Sequence, residues 1–375
     1  MSVTDSLSLL DHHCHGLVPT SLTGEEFRLL ATESDHLAPT PQETLDSPIG
    51  LAIRSRCAPL LDLPRHTEID AYLDRRAELG ADEVHRRLMG ASGISRLLID
   101  TGFEASPVAS PSTMAEITGL PAHEIVRLER IAEHIAPAST AATFASDFLT
   151  ALTEAAERAI GFKSIIVYRF GFDIPPEPPS DAEVVEAAGR WFSAASATGD
   201  WRLTEPVILR HLLWAAIPFG KPIQLHTGYG DSDIQLFRAD PSRATRFFAA
   251  TVESGAAFTL LHCYPFIREA GILSQIFPHV YCDVGAVTHY LGPSAGVAIG
   301  HMMEVAPFTK ILFSSDAYGL AEQYLISSLS WRTQLGRLLD SWIADDWTTA
   351  EEARRIAGLI ASGNAERLYG IEDHA

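Results

Sequence analysis

The sequence of 375 residues predicts an α/β fold, and within that class a closed (β/α)8 barrel of the TIM type with a mostly helical insertion after its first strand. Three observations lead there. From about Gly93 onward, short β-branched or apolar runs alternate with longer helical patterns; with one run near the start of the chain they number eight; and several of them end in the same kind of chemistry-bearing residue. A doubly wound open sheet competes, since it is assembled from the same βα units.

The first run is "LSLLDHHCH", near the start of the chain. The other seven are "SRLLIDTG", "HEIVRLER", "FKSIIVYRFG", "PIQLHTG", "AFTLLHC", "VYCDVGAV" and "KILFSSDAYG". Between them, Ser139 to Ala159 is rich in alanine, leucine and phenylalanine, and Asp181 to Thr198 places acidic residues in its first turn, so both predict helices. "DPSRATRFFAATVES" offers Asp240 as a helix cap with proline at the next position. "TAEEARRIAGLIASGNAERLYGI" reads as a closing helix.

Residues 17–91 break the alternation. A Pro/Thr/Ser-rich portion, "LAPTPQETLDSPIG", precedes the helical text "RHTEIDAYLDRRAELGADEVHRRLMG". In a barrel the connection after a strand lies on the active-site face, so this insertion is expected to cap the site, with a separate small helical domain as the alternative. The whole chain, 1–375, is read as a single barrel.

Composition narrows the function. Hydrophobic residues at 46% and charged residues at 20% are globular proportions. The net charge of -20, from 48 acidic against 28 basic residues, repels phosphate backbones and anionic lipid, so neither nucleic acid nor membrane is an expected partner. The N-terminus has no basic stretch followed by an apolar segment and a cleavage site, and no apolar run reaches membrane-spanning length, which predicts a cytoplasmic protein. Four cysteines without a Cys-x-x-Cys pair read as buried free thiols.

Four of the runs end in metal-type ligands: "LLDHHCH", "PIQLH", "FTLLH" and "ILFSSD". Strand residues alternate faces, so His13 and His15 point the same way and can grip one ion, while Cys14 and His12 point to the other side. His226, His262 and Asp316 follow apolar runs at the strand ends where barrel active sites are built. Imidazole nitrogen and carboxylate oxygen suit Zn2+, and to a lesser degree Mn2+ or Fe2+. Asp11 shares the parity of the two histidines one step deeper, which places it behind the ligands.

This ordered pattern, Asp-x-His-x-His on the first strand, His on the fifth and sixth and Asp on the eighth, resembles the amidohydrolase superfamily. The lack of an N-terminal β-sandwich, "GFKSIIVYRFG" and the closing "NAERLYGI" resemble its amidohydrolase-2 branch, including the amidohydrolase half of FluG-type proteins. The resemblance implies a metal held by His13, His15, His226 and Asp316, with His262 either ligating a second ion or acting on substrate. A bound ion brings the pKa of its water toward ~7 and polarises a carbonyl, while Asp316 takes the proton and passes it to the departing group. Lys163, in "GFK", has three readings: a carbamate bridging two metals as in binuclear relatives, a cation for substrate, or a barrel-interior residue paired with a carboxylate. One or two ions per chain are therefore expected.

Arg169 and Tyr168 end the fourth run, and Arg127 the third; an arginine at the rim can hold a substrate carboxylate, with an ion pair to Glu129 as the structural alternative for Arg127. Asp283 is expected to orient a ligand histidine or touch substrate, with a hydrogen bond inside the barrel core as the structural alternative. The function these residues predict is metal-dependent hydrolysis of a C-N bond, in an amide or cyclic amide of a small, carboxylate-bearing substrate. The alternative on the same scaffold is a metal-dependent decarboxylase of an aromatic or conjugated acid. A homo-oligomer is compatible with a barrel enzyme, although nothing in the sequence fixes it.

Overall fold

The computed structural model describes residues 2–103 and 107–371. Seven parallel strands follow chain order in the sheet: β1 (Leu9–Cys14), β2 (Ile94–Asp100), β3 (Ala122–Arg127), β4 (Ala159–Ser164), β5 (Ile223–Thr227), β6 (Phe258–His262) and β7 (Val280–Cys282). Helices intervene along the chain, as the alternating pattern predicts for an α/β fold. Every residue of β1, β5 and β6 is buried, which is why these strands read as apolar runs instead of alternating ones. The chain divides into two compact units.

The first unit comprises the residues up to His123, Gly230–Ser232 and the residues from Asp283 onward. In it β1 pairs with β2, with Leu9 opposite Ile94 and Cys14 opposite Ile99. The expected eighth strand is an extended segment beside β1 and not a regular ladder: the His12 amide donates to Phe313 O at 3.2 Å, the Asp316 amide to His13 O at 3.0 Å and the His15 amide to Ala317 O at 2.8 Å. Its interruption has a local cause, because Ser315 turns its amide and hydroxyl onto the Asp11 carboxylate at 2.8 and 2.5 Å.

Residues 17–91 form a series of short helices and two longer ones, Ile69–Leu79 and Ala81–Ser92. Helix Gly24–Leu30 starts on a capping box, with the Thr23 hydroxyl accepting from the Glu26 amide and Glu26 reaching back to the Thr23 amide. Ile69–Leu79 is tied to the long helix Ala321–Ala344 by Tyr72 and Arg76, which both donate to the buried Glu322 carboxylate, at 2.8 and 2.9 Å.

The second unit, Glu124–Tyr229 and Asp233–Cys282, holds β3 beyond its first residues and β4 to β7. Their registers place Lys163 between Arg127 of β3 and Gln224 of β5. The helix Asp181–Thr198 has the expected bounds, set by a Ser180–Glu183 capping box and by Gly199 at φ 77. Asp240 caps the following segment by accepting from the Ser242 amide. Two strands stop earlier than the pattern suggested. β3 ends at Arg127 and passes into helix Leu128–Ile135, and β4 ends at Ser164 and passes into the short helix Ile166–Arg169. At the end of β4 the turn-off is held by Glu129, in the helix that follows β3, which accepts from the Ser164 hydroxyl at 2.6 Å and the Ile165 amide at 3.0 Å.

Candidate metal centre and its surroundings

His13 and His15 project from the end of β1 as the period of two requires, and their rings meet edge to face with centroids 5.2 Å apart. Asp316 completes the group. Its Oδ1 lies 3.0 Å from His13 Nε2 and 3.6 Å from His15 Nε2, and the three ligand atoms fall within 4.8 Å of one another. His13 is fully buried, while the His15 and Asp316 side chains are 10% and 14% exposed, so the group reaches solvent through these two.

The backbone holds this group under local strain. Asp316 sits at φ 51, a left-handed conformation that costs a non-glycine residue about 1 kcal/mol or more and persists where its surroundings enforce it. Here the surroundings are the Asp316 amide bond to His13 O and the Asp11–Ser315 pair behind it. Burial pushes the Asp11 carboxyl up to about 8, against the opposing pull of its Ser315 hydrogen bonds. His15 Nδ1 lies 3.2 Å from Asp100 O, which assigns its proton to Nδ1 and turns the Nε2 lone pair toward the group. Tyr324 donates its hydroxyl to His15 O.

The first unit also settles where two other residues of the sequence analysis lie. Asp283 is fully buried, with Oδ2 at 2.7 Å from His12 Nε2 and Oδ1 accepting from the Gly285 amide at 2.8 Å. His12 in turn meets the Tyr369 hydroxyl at 3.2 Å, so the histidine on the opposite face of β1 joins the closing helix. Asp283 therefore orients a histidine, though not one of the two expected ligands.

In the second unit His226 packs against His262, with ring centroids at 4.7 Å, and against Tyr168 at 4.4 Å; its Nε2 lies 2.8 Å from Tyr229 O. His262 is fully buried and at φ 66, a second strained position among the expected site residues. Lys163 is 2% exposed. Arg169 stands on its short helix with Nη2 3.5 Å from Glu133, while its Nε and Nη1 have no hydrogen-bond partner among the described residues. Burial and the nearby Arg202 charge lower its pKa from the ordinary guanidinium range, against the pull of Glu133 and Glu129.

Sequence reasoning missed Glu33, Tyr290 and Gln323. Burial, followed by the Asp316 charge, pushes the carboxyl of Glu33, in the insertion, up to about 8. Gln323 donates to Leu30 O at 2.8 Å and to the Tyr290 hydroxyl at 3.3 Å. Only the acidic letters of "TESDH" hinted at Glu33, since no spacing links that loop to a strand end.

Comparison with known proteins places the chain. The family model described as "Amidohydrolase" matches residues 126–371. The chain belongs to the amidohydrolase family. Protein fluG of Emericella nidulans is 31% identical over 226 residues, 57% of this amidohydrolase and 26% of that protein, so the chain spans about a quarter of its relative's length. A Lactobacillus casei structure assigned to the metal-dependent hydrolases superposes with a TM-score of 0.85 at 27% identity, covering 98% of this chain and 96% of that one. A uronate isomerase of Bacillus halodurans has a TM-score of 0.68 at 16% identity, over 99% and 95% of the two chains, and shares the fold. No helix among the described residues is long and apolar enough to cross a membrane.

Proposed function

We propose that this amidohydrolase uses a divalent cation to hydrolyse the C-N bond of an amide or cyclic amide in a small, carboxylate-bearing substrate, acting as one (β/α)8 barrel with residues 17–91 as a cap. The observation that carries the reading is the convergence of His13, His15 and Asp316. Two neutral imidazole nitrogens and one carboxylate oxygen, on buried or half-buried side chains within 4.8 Å of one another, are a donor set that fits Zn2+, with Mn2+ or Fe2+ as the nearest substitutes.

A cation held there supplies Lewis acidity, bringing the pKa of a water toward ~7 and polarising the scissile carbonyl. The chain's own groups do the rest. Asp316, the most solvent-facing member of the group, accepts the proton of the attacking water and gives it to the departing nitrogen. His15, fixed through Asp100 O, keeps its Nε2 oriented, and the Asp11–Ser315 pair holds the Asp316 turn in place. Arg169, with two guanidinium nitrogens that have no hydrogen-bond partner among the described residues, binds the substrate carboxylate. The roles of His226 as a further ligand, of His262 and carbamylated Lys163 at a second ion, and of Tyr168 and Arg127 on substrate rest on the sequence pattern.

Elemental analysis of the purified chain, followed by assay of the loaded protein against N-acyl amino acids and aromatic acids, tests the reading. At least one ion per chain with amide cleavage is expected. Two ions together with a carbamate mass on Lys163 would extend the site to the binuclear set. Carbon dioxide release from an aromatic acid with no amide cleavage would replace hydrolysis with the lyase alternative.

A further inference from the structure

The long helix Ala321–Ala344 and the insertion line a groove of about 290 Å³ in the first unit, and none of the residues around it belongs to the His13, His15 and Asp316 group. Its volume suits one small molecule. Ile326, Leu329, Ser330 and Arg337 lie on one face of the helix, as their spacing requires, and form one side of the lining. Leu51 and Arg56 line the groove from the insertion, Arg56 on the π-helical turn Ile53–Cys57, a local widening of the kind that often marks a functional position. Gly292, at φ 53, approaches Pro48 so closely that a Cβ there would lie 2.9 Å from the proline side chain, and both residues border the groove.

The lining suits an anion with an apolar body. The chain carries a net charge of -20, yet two arginines and no acidic residue line this space. Other arginines of the insertion are paired, Arg75 and Arg87 with Asp62 and Arg76 with Glu322. The side chains of Arg56 and Arg337, in contrast, make no hydrogen bond or ion pair among the described residues, and the buried Ser330 hydroxyl has no partner among them either. The lining also holds Ile326, Leu329 and Leu51, the last 56% exposed, so an apolar group laid there is favoured by the area it covers. A planar guanidinium fork matches the two oxygens of a carboxylate.

We propose that this groove is a second binding site, which takes a small organic carboxylate: Arg56 and Arg337 hold the carboxylate, and its apolar body lies on Leu51, Ile326 and Leu329. The two arginines belong to the insertion and to the long helix, so the bound anion ties one to the other and stabilises the first unit. The inference is independent of the reading of His13, His15 and Asp316 as a metal centre, since the two sites share no residue.

A matched pair of probes tests this. 4-Phenylbutyrate and its neutral amide, 4-phenylbutyramide, are titrated into the zinc-loaded full chain by calorimetry, with acetohydroxamate present to occupy any bound ion. The acid is expected to bind with a Kd of about 1 mM or lower and the amide about tenfold or more weakly, the range of a hydrogen bond to a charged group. Arg56→Gln and Arg337→Gln should each weaken binding of the acid about tenfold, while metal content and the melting temperature without probe stay at wild-type values. Arg169→Met, which removes a cation of the second unit, should leave the affinity unchanged. The acid should also raise the melting temperature of the wild type and not that of the Arg56→Gln, Arg337→Gln double variant. Equal binding of acid and amide, no binding at about 10 mM, or an affinity untouched by both groove substitutions overturns the site. Loss of binding in Arg169→Met alone would move the carboxylate to the second unit and overturn it as well.

Discussion

The His13, His15 and Asp316 group in the first unit is braced from behind, whereas Arg169 and Glu129 in the second unit keep hydrogen-bonding atoms to spare among the described residues. His15 is oriented by Asp100 O, and the Asp316 backbone is held by the His13 carbonyl and the Ser315 turn. In the second unit, Arg169 leaves two nitrogens and Glu129 leaves Oε2 without a hydrogen-bond partner among the described residues, although both residues are buried or nearly so. Bracing suits groups that must present fixed lone pairs to an ion, since a misplacement of about 1 Å costs catalysis on the order of 100-fold. Unspent hydrogen-bonding capacity suits groups that complete their shells only when a substrate arrives.

The contrast breaks most visibly at the histidines. His13→Ala or His15→Ala is expected to reduce bound metal to a small fraction of an ion per chain by elemental analysis, with turnover falling to background. Full occupancy in either variant would falsify the assignment of β1 as the ligand strand. Asp316→Asn comes next. Because an amide still offers an oxygen donor but cannot accept a proton, much of the metal should remain while kcat falls by about 10²- to 10⁴-fold, the range of general acid-base catalysis; wild-type turnover would mean that another group moves the proton. Arg169→Met, which keeps the length and removes the charge, should raise KM for a carboxylate substrate about 10- to 100-fold and change kcat less. An unchanged KM would put Arg169 among residues that serve the fold.

What the sequence made legible follows the same division. His13 and His15 could be paired from their spacing alone, because the period of a strand is fixed and β1 runs without interruption to Cys14. Asp316 stood out as a carboxylate closing an apolar run, even though "FSSD" turns out to be extended chain pinned by Ser315 and not a ladder. The strand-parity argument did not reach Glu129, Tyr168 or Arg169. A buried glutamate redirects the chain just where the apolar run looks continuous, and all three lie on helical turns. Glu33 was out of reach for another reason: its place depends on contacts from Tyr318 and Gln323, nearly three hundred residues away, and a polar loop carries no periodicity from which to infer them.

The smallest expected effect separates a stability role from a catalytic one at Glu129. Burial raises its carboxyl above the ordinary carboxylate range, against the pull of its Ser164 hydrogen bond and the Arg127 and Arg169 charges. In acid both the folded and unfolded chains carry this proton, and the group's contribution to folding is complete. As pH rises past the ordinary carboxylate value the unfolded chain releases the proton first, so the contribution shrinks and is lost as pH passes through the raised folded value. Glu129→Gln keeps an oxygen that can accept from Ser164 and Ile165 but has nothing to ionise. Its melting temperature relative to wild type should therefore rise between pH 5 and pH 8, by on the order of 1–3 °C. A gap independent of pH would show that Glu129 is already ionised in the folded chain, and that the second unit braces its charges as firmly as the first.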